Sequence, residues 1–185
     1  MIKEIVYYLP GRGGKLDSGL GLGIKDLGFT LQGRETWADF RGLSFQEQID
    51  LIRADLESNF WRDDASVIAN SYGAYLFLHV QAEMEPFPGR VLLLSPIIGP
   101  FENTATGQQF LPPRASTLNR LLAARRLPRP MYCEIHVGSE DWQSCAEEVG
   151  LFSADWDIVF NVLSGAGHML PRDYVSEVLR RFLAK

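Results

Sequence analysis

The sequence predicts an α/β protein in which a mostly parallel sheet of about six strands lies between two layers of helices. Short apolar segments alternate with segments of helical periodicity along the chain, and this alternation is typical of a parallel sheet covered on both faces. Residues 91–94 are continuously apolar, as expected of a strand buried on both sides. We therefore expect a three-layer α/β/α sandwich that forms one domain over residues 1–185.

The predicted strands are short apolar segments, and the predicted helices carry start signals and apolar faces. Ser44 and Glu47 have the spacing of a capping box, and apolar residues follow at helical spacing. A last helix is predicted from Pro171 to about Leu183, with an apolar face that packs on the sheet. The strands are predicted near residues 4–9, 28–32, 65–70, 90–95, 131–137 and 156–163.

The length, hydrophobic content, charge and cysteine spacing of the chain limit the classes of function that it can have. With 185 residues, of which 46% are hydrophobic, the chain can bury a sizeable core, yet no segment is apolar enough to cross a bilayer. The chain starts directly with a predicted strand, so we expect no signal peptide and a cytoplasmic location. The net charge of −5, with one basic cluster at Arg125, Arg126 and Arg129, argues against a nucleic-acid partner. Cys133 and Cys145 lack metal-site spacing and are expected to be reduced thiols.

A candidate nucleophile stands where an apolar strand breaks at a serine between small residues. In residues 67–74, Ser71 has Ala69 two positions before it and Gly73 two positions after it. Small neighbours allow a strand to turn sharply into a helix, which holds the serine hydroxyl exposed at the turn. The usual pattern has glycine where Ala69 stands. The alternative is that Ser71 is simply the N-cap of the next helix.

A serine nucleophile needs a base, and the chain has three histidines. His79 lies eight residues beyond Ser71 on one predicted helix, about 12 Å along its axis, and is too far away. His136 lies inside a predicted strand and is a second, weaker candidate. His168 follows the last predicted strand in a loop of small residues and precedes Pro171, so we favour it as the base.

Two adjacent carboxylates follow the predicted strand before the one that delivers His168. We favour Asp141 as the acid that orients the imidazole, because Gly138 leaves it past the turn. Glu140 is the alternate acid. Solvated loop charges are the ordinary alternative for both residues.

The order Ser71, Asp141, His168 resembles the α/β-hydrolase superfamily, in particular its small members without a cap domain. The resemblance covers nearly the whole chain. It implies a nucleophile at Ser71, an acid at Asp141 and a base at His168, each after a different parallel strand. It also implies the strand order 2-1-3-4-5-6, with the ligand crevice between the first and third strands.

A glycine-rich segment follows the first predicted strand and contains Gly11. Such backbone can turn amide N–H groups towards a developing negative charge. The resemblance implies that the N–H groups of Arg12 and Tyr72 form this oxyanion hole, although Pro10 stands where many relatives have a histidine. The spacing fits neither a dinucleotide motif nor a P-loop, so nucleotide binding is not expected. At the entrance to the predicted active site, the Arg12 side chain can contact an anionic group of a substrate.

The chain between Ser71 and Asp141 leaves no room for a full cap domain. Residues 99–116 are rich in Pro, Gly, Thr and Asn and form either a flap over the site or an irregular surface loop. The candidate substrate-binding residues are Gly11, Trp37, Phe40, Phe101, Phe110 and Trp142.

These features predict hydrolysis of carboxylic esters or thioesters of small acyl substrates through an acyl-enzyme, with no metal or organic cofactor. Two alternatives stay open at this point. Ala69 and the missing histidine at Pro10 leave room for an inactive binding or regulatory module on the same fold. The same three residues also serve amide hydrolysis, acyl transfer to another acceptor or lyase chemistry. We expect a small-molecule substrate, no nucleic-acid or membrane partner, and make no prediction of oligomeric state.

Overall fold

The computed structural model describes residues 4–184, and its strands and helices alternate for most of the chain. The strands are β1 (Ile5–Leu9), β2 (Thr30–Gly33), β3 (Ser66–Asn70), β4 (Arg90–Leu94), β5 (Phe101–Asn103), β6 (Gln108–Phe110), β7 (Tyr132–Gly138) and β8 (Val159–Leu163). The helices are α1 (Leu20–Asp26), α2 (Ala38–Gly42), α3 (Phe45–Asn59), α4 (Tyr72–Gln81), α5 (Ala115–Ala123), α6 (Ala146–Trp156) and α7 (Arg172–Leu183).

Six of these strands form one sheet in the order β2-β1-β3-β4-β7-β8, and every neighbouring pair is parallel. Counted within the sheet, this is the predicted order. The numbering differs because β5 and β6 pair with each other, antiparallel, outside the main sheet. The predicted α/β class is confirmed. The chain reverses direction across the sheet between β1 and β3, so the crevice there lies at the carboxyl ends of these strands.

The sheet has a hydrophobic layer on each face. Alternate residues of β1 point to opposite sides, with Tyr7 in the cluster formed by α3 to α6 and Tyr8 in the cluster formed by α1 and α7. The predicted packing of the last helix is confirmed, since Leu179 and Phe182 are buried in the second cluster. The capping box is also confirmed, because the Ser44 hydroxyl accepts from the Glu47 N–H and the Glu47 carboxylate accepts from the Ser44 N–H.

The prediction that the last strand begins at 156 is wrong. Trp156 is the last residue of α6, where its ring lies 4.7 Å from that of Phe152 and its indole N–H donates to the carbonyl oxygen of Leu127. Asp157 then takes a left-handed conformation with φ 51° and ends the helix. β8 starts only at Val159, because the buried indole keeps the preceding residues helical.

Residues 99–116, predicted as a flap or an irregular loop, contain the antiparallel hairpin β5–β6. Phe101 pairs with Phe110 across the hairpin, with ring centroids 5.1 Å apart. Both cysteines are free, with Cys133 buried in the core. None of the helices in the described part of the chain is long and apolar enough to span a membrane.

A buried ionic network ties α7 to β7. Glu134 is 3% exposed, and its carboxylate pairs with Arg181 and lies 2.7 Å from Nε2 of His136. His136 Nδ1 lies 2.6 Å from the hydroxyl of Tyr174. Burial raises the pKa of Glu134, but hydrogen bonding and charge from His136 and Arg181 outweigh it, so the pKa lies below its ordinary value of 4.5.

Because the pKa of Glu134 is lower in the folded chain, its network stabilises the fold fully above about pH 4.5 and loses that contribution as the pH falls through the folded pKa. We expect Glu134→Gln to reduce the free energy of unfolding by about 1.5–3 kcal/mol at pH 7 and by much less at a pH below the folded pKa of Glu134. Urea unfolding at both pH values measures the difference, with the exposed Glu57→Gln as the control. An equal loss at both pH values would show that the charge of Glu134 does not contribute.

Candidate active site

Ser71 lies at the sharp turn between β3 and α4. Its backbone has φ 52° and ψ −115°, a strained conformation for a residue with a side chain. The turn is held by neighbours, because the Ser71 N–H donates to the carbonyl oxygen of Leu94 at 2.9 Å. Although Ser71 occupies the N-cap position, its side chain makes no capping hydrogen bond. The hydroxyl is therefore available to another partner, which the simple N-cap interpretation did not anticipate.

The two small residues near Ser71, Gly73 and Ala69, differ in how much space the fold leaves for a side chain. A Cβ atom at Gly73 would collide with the carbonyl oxygens of Leu9 and Pro10, so α4 can approach β1 this closely only with glycine. Ala69 is fully buried in β3 between Leu9 and Leu93. At this position the fold accommodates a methyl group, and the departure from the usual glycine leaves the turn intact.

His168 reaches Ser71 from the loop after β8. Its Nε2 lies 2.8 Å from the Ser71 hydroxyl oxygen, although 97 residues separate the two in sequence. This loop is fastened to the loop after β7, where the N–H of Glu140 donates to the carbonyl oxygen of Ala166 at 2.8 Å. A Cβ at Gly138 would collide with that same carbonyl oxygen, so glycine permits the close contact. The position of the imidazole is thus fixed by backbone contacts.

Asp141 lies behind the imidazole, and its carboxylate oxygens are 2.9 and 3.0 Å from Nδ1 of His168. The carboxylate also accepts from the backbone N–H groups of Gln143 and Ser144, each at 2.9 Å. Burial raises the pKa of Asp141, but the hydrogen bonds from His168 and Ser144 outweigh it and hold the pKa below its ordinary range. Asp141 therefore stays ionised and can accept a hydrogen bond from Nδ1–H of the imidazole.

The other candidates do not enter this line of hydrogen bonds. The Glu140 side chain is exposed, and among the described residues it forms no hydrogen bond or ion pair with His168. His136 belongs to the buried network with Glu134. His79 is buried against the rings of Phe45 and Tyr75, and burial, with a smaller contribution from a nearby positive charge, lowers its pKa to about 4. Of the three histidines, only His168 faces Ser71.

The glycine-rich loop after β1 lies against the turn, because a Cβ built on Gly11 would be 3.3 Å from Cβ of Ser71. Across residues 4–184, the N–H groups of Arg12 and Tyr72 donate to no other protein group. An oxyanion hole requires two unpaired backbone donors near the serine hydroxyl, and the assignment of Arg12 and Tyr72 to it stays a prediction.

Thr36 holds this loop in place and was missed by the sequence analysis. It is 3% exposed, and its hydroxyl donates to the carbonyl oxygen of Gly11 and accepts from the N–H of Gly14 at 3.0 Å. The carbonyl oxygen of Thr36 accepts a hydrogen bond from the N–H of Gly13, and the N–H of Thr36 donates to the carbonyl oxygen of Gly14, each at 3.1 Å. Nothing in the local sequence marks Thr36, since its role depends on β2 lying beside β1.

A cleft of about 320 Å³ is lined by Arg12 and by Tyr72, the residue that follows Ser71 in the chain. Ser71, Asp141 and His168 are not among its lining residues. Of the predicted pocket residues, Phe40 and Phe110 line this cleft. Trp37 does not line it; its ring is half exposed and lies near Lys15. A larger cavity of about 480 Å³ lies beside Trp156, and none of its lining residues belongs to the Ser71 site.

Aromatic side chains of the hairpin connect the two sides of the site. The Phe110 ring lies 6.1 Å from that of Tyr72, next to Ser71. The Phe101 ring lies 5.5 Å edge-on from that of Trp142, next to Asp141. Phe101 and Trp142 thus join the hairpin to the acid loop rather than lining the cleft. The hairpin thus contacts the residue after Ser71 through β6 and the residue after Asp141 through β5.

We compared the sequence with protein families and curated proteins, and the structure with solved structures. No family model matches the sequence, and no curated protein is significantly similar to it. Solved structures do match over nearly the whole chain. A monoacylglycerol lipase from Paleococcus ferrophilus has a TM-score of 0.71 at 11% identity, covering 97% of this chain and 94% of its own. Est1E from Butyrivibrio proteoclasticus has a TM-score of 0.68 at 12% identity, covering 98% and 87%.

The ydeN gene product from B. subtilis aligns over 99% of this chain and all of its own, with a TM-score of 0.67 and 12% identity. A candidate hydrolase of the alpha/beta superfamily from Xanthomonas campestris has a TM-score of 0.61 at 18% identity, covering 98% and 96%. At these identities the likeness concerns the fold. The chain has the α/β-hydrolase fold, without an inserted cap domain in the described residues.

Proposed function

We propose that this protein is a serine hydrolase that cleaves carboxylic esters or thioesters of small acyl substrates. One observation carries the proposal: an unbroken line of hydrogen bonds runs from the Ser71 hydroxyl through His168 to the buried carboxylate of Asp141. A structural serine at a helix start has no need of an imidazole at 2.8 Å, and a binding module has no need of a strained backbone at that serine.

In the proposed acylation step, Nε2 of His168 takes the proton of the Ser71 hydroxyl as the oxygen attacks the carbonyl carbon. The negative charge that develops on the carbonyl oxygen is stabilised by the N–H groups of Arg12 and Tyr72. The tetrahedral intermediate then collapses, and His168 gives its proton to the leaving alcohol or thiol. Asp141 keeps the Nδ1 proton in place and stabilises the imidazolium.

In deacylation, water replaces the alcohol. His168 takes a proton from the water molecule, the resulting hydroxide attacks the acyl carbon, and collapse of the second intermediate returns the proton to Ser71. The same two N–H groups serve both intermediates. The hairpin β5–β6 is proposed as a side wall that limits access of water, through Phe110 on one side and Phe101 on the other.

Turnover of a graded substrate panel tests this function. Acetyl, butyryl and octanoyl esters of 4-nitrophenol, with the matching thioesters and amides, are offered to the native chain and to Ser71→Ala, with and without an added amine or alcohol. The proposal expects Ser71-dependent release of the free acid. Release of acid only from amides, or transfer of the acyl group to an added amine or alcohol without acid release, would replace ester hydrolysis by one of those reactions. No Ser71-dependent reaction on any member would contradict hydrolase function.

A further inference from the structure

The cleft beside Ser71 contains two positive charges and no negative one. Arg12 and Arg41 both line it, and none of its lining residues is an aspartate or glutamate. The chain as a whole has a net charge of −5, so the positive charge of this cleft is opposite in sign to the net charge of the molecule. Neither arginine forms an ion pair with an acidic residue within the described chain.

Two arginines outside the cleft lining already have acidic partners. Arg114 pairs with Glu83 at 3.0 Å, and Arg34 pairs with Asp55 at 2.6 Å. The guanidinium of Arg12 instead lies 5.1 Å from the centre of the Phe110 ring, which holds it at the cleft without neutralising its charge. Its fork of N–H donors is therefore free to bind an anion, for which arginine is well suited.

The rings of Phe40, Phe45, Tyr72 and Phe110 form part of the remaining cleft surface, together with the polar side chains of Thr36 and Gln48. Its volume of about 320 Å³ fits a small organic molecule rather than a long acyl chain. The reacting end is fixed by the backbone N–H groups of Arg12 and Tyr72. An anionic group that meets the side chain of Arg12 must then lie only a few bonds from the reacting carbonyl.

We propose that the substrates are small esters or thioesters carrying a carboxylate or a phosphate a few bonds from the reacting carbonyl, and that Arg12 and Arg41 bind this anionic group. The proposal rests on the proposed function, since it assigns the substrate class of the same site. The aromatic walls hold the organic part of the substrate, and the two arginines set its orientation. Their contribution is expected mainly in KM, because they act on a group that does not react.

Matched ester pairs test the preference. Each pair has a carboxylate in one member and the corresponding carboxamide in the other, placed once on the acyl chain and once on the leaving alcohol. A third member with a phosphate monoester distinguishes the two anions. We expect kcat/KM to favour an anionic member by about 10-fold or more, and this preference to fall as salt is raised.

The ratio of anionic to neutral kcat/KM is then measured in Arg41→Met, Arg12→Met and the double variant. We expect the ratio to fall towards 1 in the double variant, while the exposed Arg126→Met, far from the site, keeps the native ratio. No preference in any pair, or a preference that survives in the double variant, would overturn the proposal. A fluorophosphonate probe separates the two hypotheses: labelling of Ser71 without any anion preference overturns this inference alone, whereas absence of both labelling and turnover overturns the proposed function and this inference with it.

Discussion

Ser71→Ala is expected to lower kcat for ester hydrolysis by about 10⁴- to 10⁶-fold while leaving the fold unchanged. The reason is that the substitution removes the atom that forms the acyl-enzyme, and neither His168 nor the backbone N–H groups can replace it. Stability should change little, because the hydroxyl makes its one hydrogen bond to His168 and caps no helix. Steady-state kinetics on the best ester of the panel, together with thermal unfolding, measures both effects.

The matched control is Ser164→Ala, which removes an exposed hydroxyl from the same loop that carries His168. It should keep native kcat and KM. If Ser71→Ala retained a tenth or more of the native rate, another group would have to be the nucleophile. The hydrogen bond between Ser71 and His168 would then be a structural one.

Asp141→Asn is expected to lower kcat by about 10⁴-fold, the second of the two largest effects. The carboxylate accepts a hydrogen bond from Nδ1–H of His168, whereas an amide can present an N–H to Nδ1 and favour the wrong tautomer of the imidazole. Nε2 would then carry the proton and could not accept another from Ser71. Asparagine keeps the size of the side chain, so KM is expected to stay within the native range.

Glu140→Gln serves as the control for the neighbouring carboxylate. Because the Glu140 side chain is exposed and forms no hydrogen bond or ion pair with His168 among the described residues, this variant should retain the native kcat. The opposite result, a large loss in Glu140→Gln with a small one in Asp141→Asn, would contradict the assignment of the acid. Thermal unfolding of both variants excludes loss of the fold as the cause, which is necessary because Asp141 is buried and bonded to Ser144.

The parts of the fold and site that were predicted correctly are those with local signals. The alternation of strands and helices follows from the apolar periods, and the turn at Ser71 follows from a strand, a serine and the small residues around it. The proximity of Ser71, Asp141 and His168 follows from one rule. Residues just after the parallel strands of one sheet lie at the same edge of that sheet, here after β3, β7 and β8.

The parts that were missed depend on contacts between distant segments. Thr36 bonds the glycine loop only because β2 lies beside β1, and Arg41 shares the cleft with Arg12 only because α2 packs near the same edge. The start of β8 was misplaced because the burial of Trp156 against Leu127 extends α6. The contact between Glu134 and His136 could have been predicted from the sequence. The two residues are two positions apart on β7, and alternate residues of a strand share a face.

The most direct test of the account is the intact mass of the protein after exposure to a fluorophosphonate probe. The account predicts a single covalent adduct on the native chain, located at Ser71 by peptide mapping, and no adduct on Ser71→Ala or His168→Ala. Such a result would show a serine that is activated by this histidine. A folded native chain that acquires no adduct, or one that is labelled equally after His168→Ala, would contradict it.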